Sequence, residues 1–301
     1  MVLTGIDRIV IAVEELDRAS RHYAAMLGRS PAWLGEQPAA GTLNALFPLE
    51  NTTLELLAPA REGVAAEALE AQLGDRGEGL FSICFATGDV ESAAKELQQR
   101  GLSPSSPAAA LSPAAVLDRD LPSGAFRRSL DLQLPEAQTG GIRLRVSQAL
   151  SAPEEMPPSL VQGDPAGAVN ALDHVVIISE QPERARELYG EKLGIRLALD
   201  KRFEERGMRL LFFRLGGATL ELGARLAQED AAAQPPAEAD LLWGIAYDVP
   251  DADAAHGRAG AAGVEVSGVR SGRKPGTRVC TVKSHTHGVA TLLIGPDASG
   301  S

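Results

Sequence analysis

An internal repeat constrains this chain more than any other feature. Residues 5–13, GIDRIVIAV, correspond to residues 171–179, ALDHVVIIS, so that Asp7 and Asp173 stand 166 positions apart. The offset holds without net insertion through Tyr23 and Tyr189, Leu27 and Leu193, and Gly28 and Gly194. It survives to TLELLAP from Thr53 and TLELGAR from Thr219, which makes Glu55 and Glu221 one position in two copies. A second register, offset by 162, aligns ICFATGDVESAAKELQQRGL from Ile83 with IAYDVPDADAAHGRAGAAGV from Ile245. Each half is therefore itself a pair of units, because self-similarity at fixed spacing marks a repeated structural module.

Within a unit, an apolar strand-like run leads to a helical pattern that stops at a glycine. In the first unit Leu16, Ala19, Tyr23, Met26 and Leu27 fall on one helical face before Gly28; in the third, Ala185, Leu188, Tyr189 and Leu193 precede Gly194. MRLLFFRLGGATLELGA then reads as two strands joined by Gly216 and Gly217, residues suited to a tight hairpin turn. The fold this predicts is α+β, four βαβββ units paired into two curled mixed-sheet halves. Residues 1–150 form the first half, 151–168 the linker and 169–301 the second. The Pro-, Ala- and Gly-rich stretch over residues 150–168 reads as exposed, and residues 103–115 and 227–240 read as loops without regular structure.

Composition narrows the partners. With 29 basic and 40 acidic side chains the net charge is −11, and aromatics make up 4% of residues, a balance that disfavours nucleic acid and favours a small-molecule ligand. Cys84 and Cys280 are far apart and form no Cys-x-x-Cys pair, so neither a disulfide framework nor a thiolate zinc site is expected; Cys84, in the apolar run ICF, reads as core. No signal-like N-terminus and no run of about 20 apolar residues is present, and the expectation is a cytoplasmic protein without membrane contact. A homodimer is left open. P-loop, G-x-G-x-x-G, G-x-S-x-G and H-E-x-x-H motifs are absent.

Four such units, with DHVVI opening one and TLELGA closing it, resemble the vicinal oxygen chelate superfamily: glyoxalase I, extradiol dioxygenases, fosfomycin and bleomycin resistance proteins. The segment GTLNALFPLENTTLELLAP from Gly41 resembles the glyoxalase-like branch in particular. The resemblance implies metal ligands on the first and last strands of the units. Carried onto this chain, these positions are His174 and Glu221 in the third unit, Gly244 and Leu293 in the fourth, and Arg8, Glu55 and Ser82 in the first half. Loss of two inherited ligands argues against an extradiol dioxygenase, because an iron site of two histidines and one carboxylate needs both imidazoles.

What remains implies a candidate metal site in the second half, with His174 and Glu221 holding a divalent Zn, Mn, Ni or Fe ion and His287 of KSHTHG as a further ligand. Glu221 is the candidate catalytic base. Trp243 and Tyr247 are candidates for lining the substrate cavity, as is Arg273 of the basic loop RSGRKPGTR, which could close over a carboxylate or phosphate. The functional expectation is a glyoxalase-like lyase or isomerase acting on a small oxygen-bearing molecule; the alternative is a metal-free binding protein using the same cavity. In the first half, Arg8 and Glu55 are expected to pair as ions in place of a metal.

Overall fold

The computed structural model describes residues 2–38, 40–110, 128–150, 158–226 and 239–297. In the first half the order is β1 (Leu3–Ala12), α1 (Leu16–Leu27), β2 (Trp33–Gln37), β3 (Thr42–Pro48), β4 (Thr53–Pro59), α2 (Val64–Arg76), β5 (Gly79–Thr87), α3 (Val90–Gln99), β6 (Ala108–Ala110), β7 (Ser129–Gln133) and β8 (Arg143–Ala149). The second half runs β9 (Ala171–Ile178), α4 (Pro182–Ala185), β10 (Arg196–Phe203), β11 (Met208–Leu215), β12 (Ala218–Arg225), β13 (Leu241–Asp248), α5 (Ala252–Ala261), β14 (Arg270–Ser271), β15 (Thr277–Val282) and β16 (Ala290–Pro296).

The strands form two curled eight-stranded sheets of the same order, β2-β3-β4-β1-β5-β8-β7-β6 and β10-β11-β12-β9-β13-β16-β15-β14. In each, the unit-opening strands lie antiparallel at the centre (β1 with β5, β9 with β13) and each pairs in parallel with its own unit's last strand. This is the predicted fold, with the four units in two paired halves.

Local chemistry accounts for the helices. The apolar stripe of α1 is buried along its length, and Gly28, at φ +67°, ends it by donating its N–H to the Ala24 carbonyl at 2.9 Å. Asp89 and Asp251, 162 positions apart, cap α3 and α5 by accepting from Ser92 and from Asp253 and Ala254. Where sequence periodicity predicts one regular helix before Gly194, the structure has four α-helical residues followed by a π-helical turn over Arg186–Lys192. Leu193 N–H there bonds the carbonyl five residues back, and Gly190 lies against the Phe213 ring.

Gly216 and Gly217, both at positive φ, make the expected two-residue turn between β11 and β12. Two expected loops differ. Residues 108–110 pair with β7 as an edge strand, since an unpaired strand edge offers free backbone groups; residues 111–127 and 227–238 lie outside the described residues. The described part of the 150–168 stretch is not simply exposed, because Leu160 and Gln162 hydrogen-bond to Ser30 and Gly28, and Ala168 is buried.

Alternation sorts each central strand into two faces. Ile9, Ile11, Leu54, Leu56, Ile83 and Phe85 point outward to α1 and α3 in a single apolar core that continues into the second half through Val175, Leu220, Tyr247 and Leu293. Arg8, Val10 and Glu55 point to the opposite, inner face. Part of that face in the first half is covered by α2, whose Leu69 packs on Val10, Ala12, Leu57 and Phe81.

Candidate functional site

Strand register places the repeated positions identically. In the first half Arg8 lies opposite Thr53 and Val10 opposite Glu55; in the second, His174 lies opposite Thr219 and Val176 opposite Glu221. Each pair therefore sits as diagonal neighbours on the inner face, where side chains of adjacent strands meet.

The two copies differ in chemistry. The Arg8 side chain is 5% exposed and that of Glu55 is 7% exposed, with Nη1 and Oε2 3.7 Å apart. Arg8 also reaches Asp131 Oδ2 at 2.8 Å and Asp7 Oδ2 at 3.2 Å. Asn44 Nδ2 donates to Glu55, and Ser147 Oγ donates to Asp131 at 2.7 Å. Burial disfavours the guanidinium charge, yet Cys84, Glu55, Asp131 and Asp7 outweigh it and hold the Arg8 pKa above its usual range. For Asp131, the opposing effect of burial is overcome by Arg8 and Ser147, and its pKa is lowered. Cys84 is buried but faces this network, not the apolar core, with Sγ 3.8 Å from Arg8; burial pushes its thiol up to about 12.

His174 and Glu221 are more open, at 17% and 18% side-chain exposure, with Nε2 and Oε2 3.5 Å apart. Asp173 Oδ1 takes the other imidazole nitrogen, Nδ1, at 2.6 Å, and this bond holds the Asp173 carboxyl below its ordinary value. The repeat thus carries an aspartate as well: Asp7 and Asp173 each contact the side chain that follows them. Lys274, in the loop between β14 and β15, and Arg214 also contribute positive charge that lowers the Asp173 pKa.

The fourth unit supplies no further ligand. Gly244 pairs with Ala290, so the register equivalent of Glu221 is Leu292; Leu293, assigned that place from sequence, is fully buried in the outer core. A Cβ at Gly244 would lie 2.6 Å from the Ala290 carbonyl oxygen, so the position has no room for a side chain. A superfamily metal centre therefore does not fit the residues present, because one imidazole and one carboxylate leave the coordination shell mostly without protein donors. Among the described residues, no group of three or more His, Cys, Asp or Glu side chains is arranged to hold a metal ion.

The remaining sequence candidates scatter. His287 does not join His174: its Nδ1 contacts Glu78 at 2.8 Å and its Nε2 contacts His22 Nδ1 at 3.0 Å, both across the junction in the first half. Tyr247 packs in the outer core, because one step along a strand reverses the face. Trp243 is half exposed at an irregularity between β13 and β9, facing the junction of the halves. Arg273 is exposed beside Lys274. Sequence reading missed Asp173, Asn44, Asp131 and Glu78; the first two lie inside the quoted DHVVI and GTLNA motifs, whereas the others carry no local signal.

Comparison with known proteins agrees with this architecture. The glyoxalase-like domain family matches residues 6–131, and the glyoxalase/bleomycin resistance protein/dioxygenase superfamily matches residues 173–281. The chain belongs to this vicinal oxygen chelate superfamily, as a tandem of two of its domains. Among solved structures it is similar to a mutant 4-hydroxymandelate synthase from Streptomyces coelicolor, at 16% identity and TM-score 0.68 over 100% of this chain and 95% of that one. A Mn(II)-bound glyoxalase from Novosphingobium aromaticivorans is similar at 16% identity and TM-score 0.61, over 98% and 82% of the two chains. A hypothetical protein from Staphylococcus aureus follows at 11% identity and TM-score 0.60, over 97% and 99%. At these identities the likeness shows the fold. No curated protein sequence matches. Among the described residues, no helix is long and apolar enough to cross a membrane.

Proposed function

We propose that the protein binds a small oxygen-bearing organic molecule on the inner face of its second sheet, gripped by His174 and Glu221 without a resident metal ion. In this reading the first half is scaffold. The observation that carries it is the contrast between equivalent positions: the pair on β1 and β4 is sealed and neutralised by Arg8, whereas the pair on β9 and β12 is accessible. With Asp173 holding Nδ1, Nε2 is left to Glu221 or to a ligand oxygen, so the site can give or take one proton at Nε2 or at the Glu221 carboxylate. If the bound molecule reacts, Glu221 is the group placed to act as base. Lys274 and Arg214, whose charges act on Asp173 beside His174, suit a ligand that carries negative charge.

The experiment is metal analysis of the purified protein combined with thermal stabilisation by a panel of small hydroxy- and oxo-acids, for the parent, His174→Ala and Glu221→Gln. Ligand stabilisation that persists after chelation and disappears in both variants is the expected result. Stoichiometric Zn, Mn, Ni or Fe that both variants lose would overturn it in favour of a metal-dependent lyase or isomerase at the same residues.

A further inference from the structure

A concavity lies between the two halves, where the start of β5 meets the start of β13, and neither His174 nor Glu221 lines it. Its volume is about 160 Å³, below the roughly 300–1,000 Å³ of drug-sized sites. The space admits a single ring or a short chain and excludes a nucleotide.

Its walls combine uncovered apolar surface with positive charge. Phe81 and Trp243 are repeat equivalents, 162 positions apart, and both line it. Phe81 is buried under the Arg143 guanidinium, whose carbon lies 4.5 Å from the ring centre, whereas Trp243 is 51% exposed and its neighbour Leu241 is 43% exposed. On the opposite wall Arg143 is fixed by Glu136 at 3.0 Å and by Gln72. Arg76, exposed at the end of α2, has no carboxylate partner among the described residues.

Both acidic side chains in the wall have an arginine neighbour. Glu78 accepts from the Glu14 backbone N–H and contacts His287 and Arg18; Asp240 pairs with Arg184 at 2.7 Å. Arg143 is itself paired with Glu136, so the charge in the cleft left without an opposite partner among the described residues is the Arg76 guanidinium.

We propose that this cleft is a separate binding site for a small organic monocarboxylate with a flat apolar body, its carboxylate on Arg76 and Arg143 and its body against Trp243 and Leu241. A guanidinium preorganised over a ring and a second one free to swing in are suited to a carboxylate, and an indole face left open supplies the stacking surface.

Benzoate is the probe, titrated into the full chain by calorimetry and by tryptophan emission. Trp33, the other tryptophan, is buried, so a change in emission reports on Trp243. The expected result is one saturable site per chain, unaffected by His174→Ala and Glu221→Gln, and not reproduced by benzamide, which lacks the charge. Arg76→Gln, a substitution on the surface, is expected to weaken binding by about tenfold, the scale of one charge-assisted contact. Trp243→Ala should remove the emission response and weaken the calorimetric affinity. Absence of saturable binding, equal binding by Arg76→Gln, or loss of binding in Glu221→Gln in place of Arg76→Gln would overturn the proposal. The last result would put the carboxylate at the inner-face pair instead.

Discussion

Arg8 is where the first half is most exposed to a single substitution. Its guanidinium meets Glu55, Asp131 and Asp7 in a region closed to water, so Arg8→Ala removes the positive charge that these three buried carboxylates share. Breaking a buried ion network from one side costs about 3–5 kcal/mol, and urea denaturation should show a loss on that scale. His174→Ala, at the equivalent but open position, should cost far less stability. A second residue-scale expectation concerns His22. Burial first, then His285, His287, Arg18 and Arg21, lower its pKa, so the folded state binds fewer protons there than the unfolded chain. Its contribution to stability is therefore complete above the unfolded value of about 6.5 and declines as the pH falls through it. Glu78 adds a separate loss at lower pH, because its hydrogen bonds to Glu14 and His287 outweigh burial and hold its pKa below the ordinary carboxylate range. His22→Gln should flatten the slope around pH 6 in thermal melts and leave the more acidic limb in place.

At the scale of elements, the hairpin between β11 and β12 does more than reverse the chain. Gly216 has φ +56°, and a Cβ there would stand 2.5 Å from Gly5 Cα and 2.6 Å from the Thr4 carbonyl oxygen on β1. Gly216→Ala should thus lose about 1–2 kcal/mol to backbone strain, with a further cost from the clash between the halves; calorimetric Tm is the measurement. This turn, the α1 stripe and the Arg8/His174 and Glu55/Glu221 register were legible because a repeat sets two copies of each pattern side by side. The miss at Leu293 has a simple physical origin. Strand side chains alternate, so aligning the fourth unit one residue out turns an inner-face position into a core position. Asp131 was illegible for another reason: it contacts Arg8 from 123 positions away, in a segment where the repeat is weak. The pairing of His287 with His22 and Glu78 likewise exists only once the halves are packed together.

Across the whole molecule, arginines tie the halves reciprocally. Arg258 on α5 donates from Nη1 and Nη2 to the Ala25 and Met26 carbonyls at the end of α1, and from Nε to the Gly167 carbonyl. Arg100, at the end of α3, reaches the Lys192 carbonyl at the end of the corresponding helix in the second half. Each helix end thereby receives a cation from the other half, where carbonyl groups would otherwise lack donors. Arg258→Ala should cost about 1–3 kcal/mol and speed amide exchange at the end of α1 and along the strands beside α5; hydrogen-exchange mass spectrometry distinguishes this from a purely local effect.

The Arg8 network has one consequence for the physiology of such a chain. A divalent ion at an inner-face position is borrowed from the surroundings, and its occupancy follows supply, competing metals and chelation. A guanidinium bonded through its own backbone cannot be withdrawn or exchanged. Half of this molecule therefore carries its positive charge as part of its primary structure, and its integrity should be indifferent to metal starvation or to metal excess.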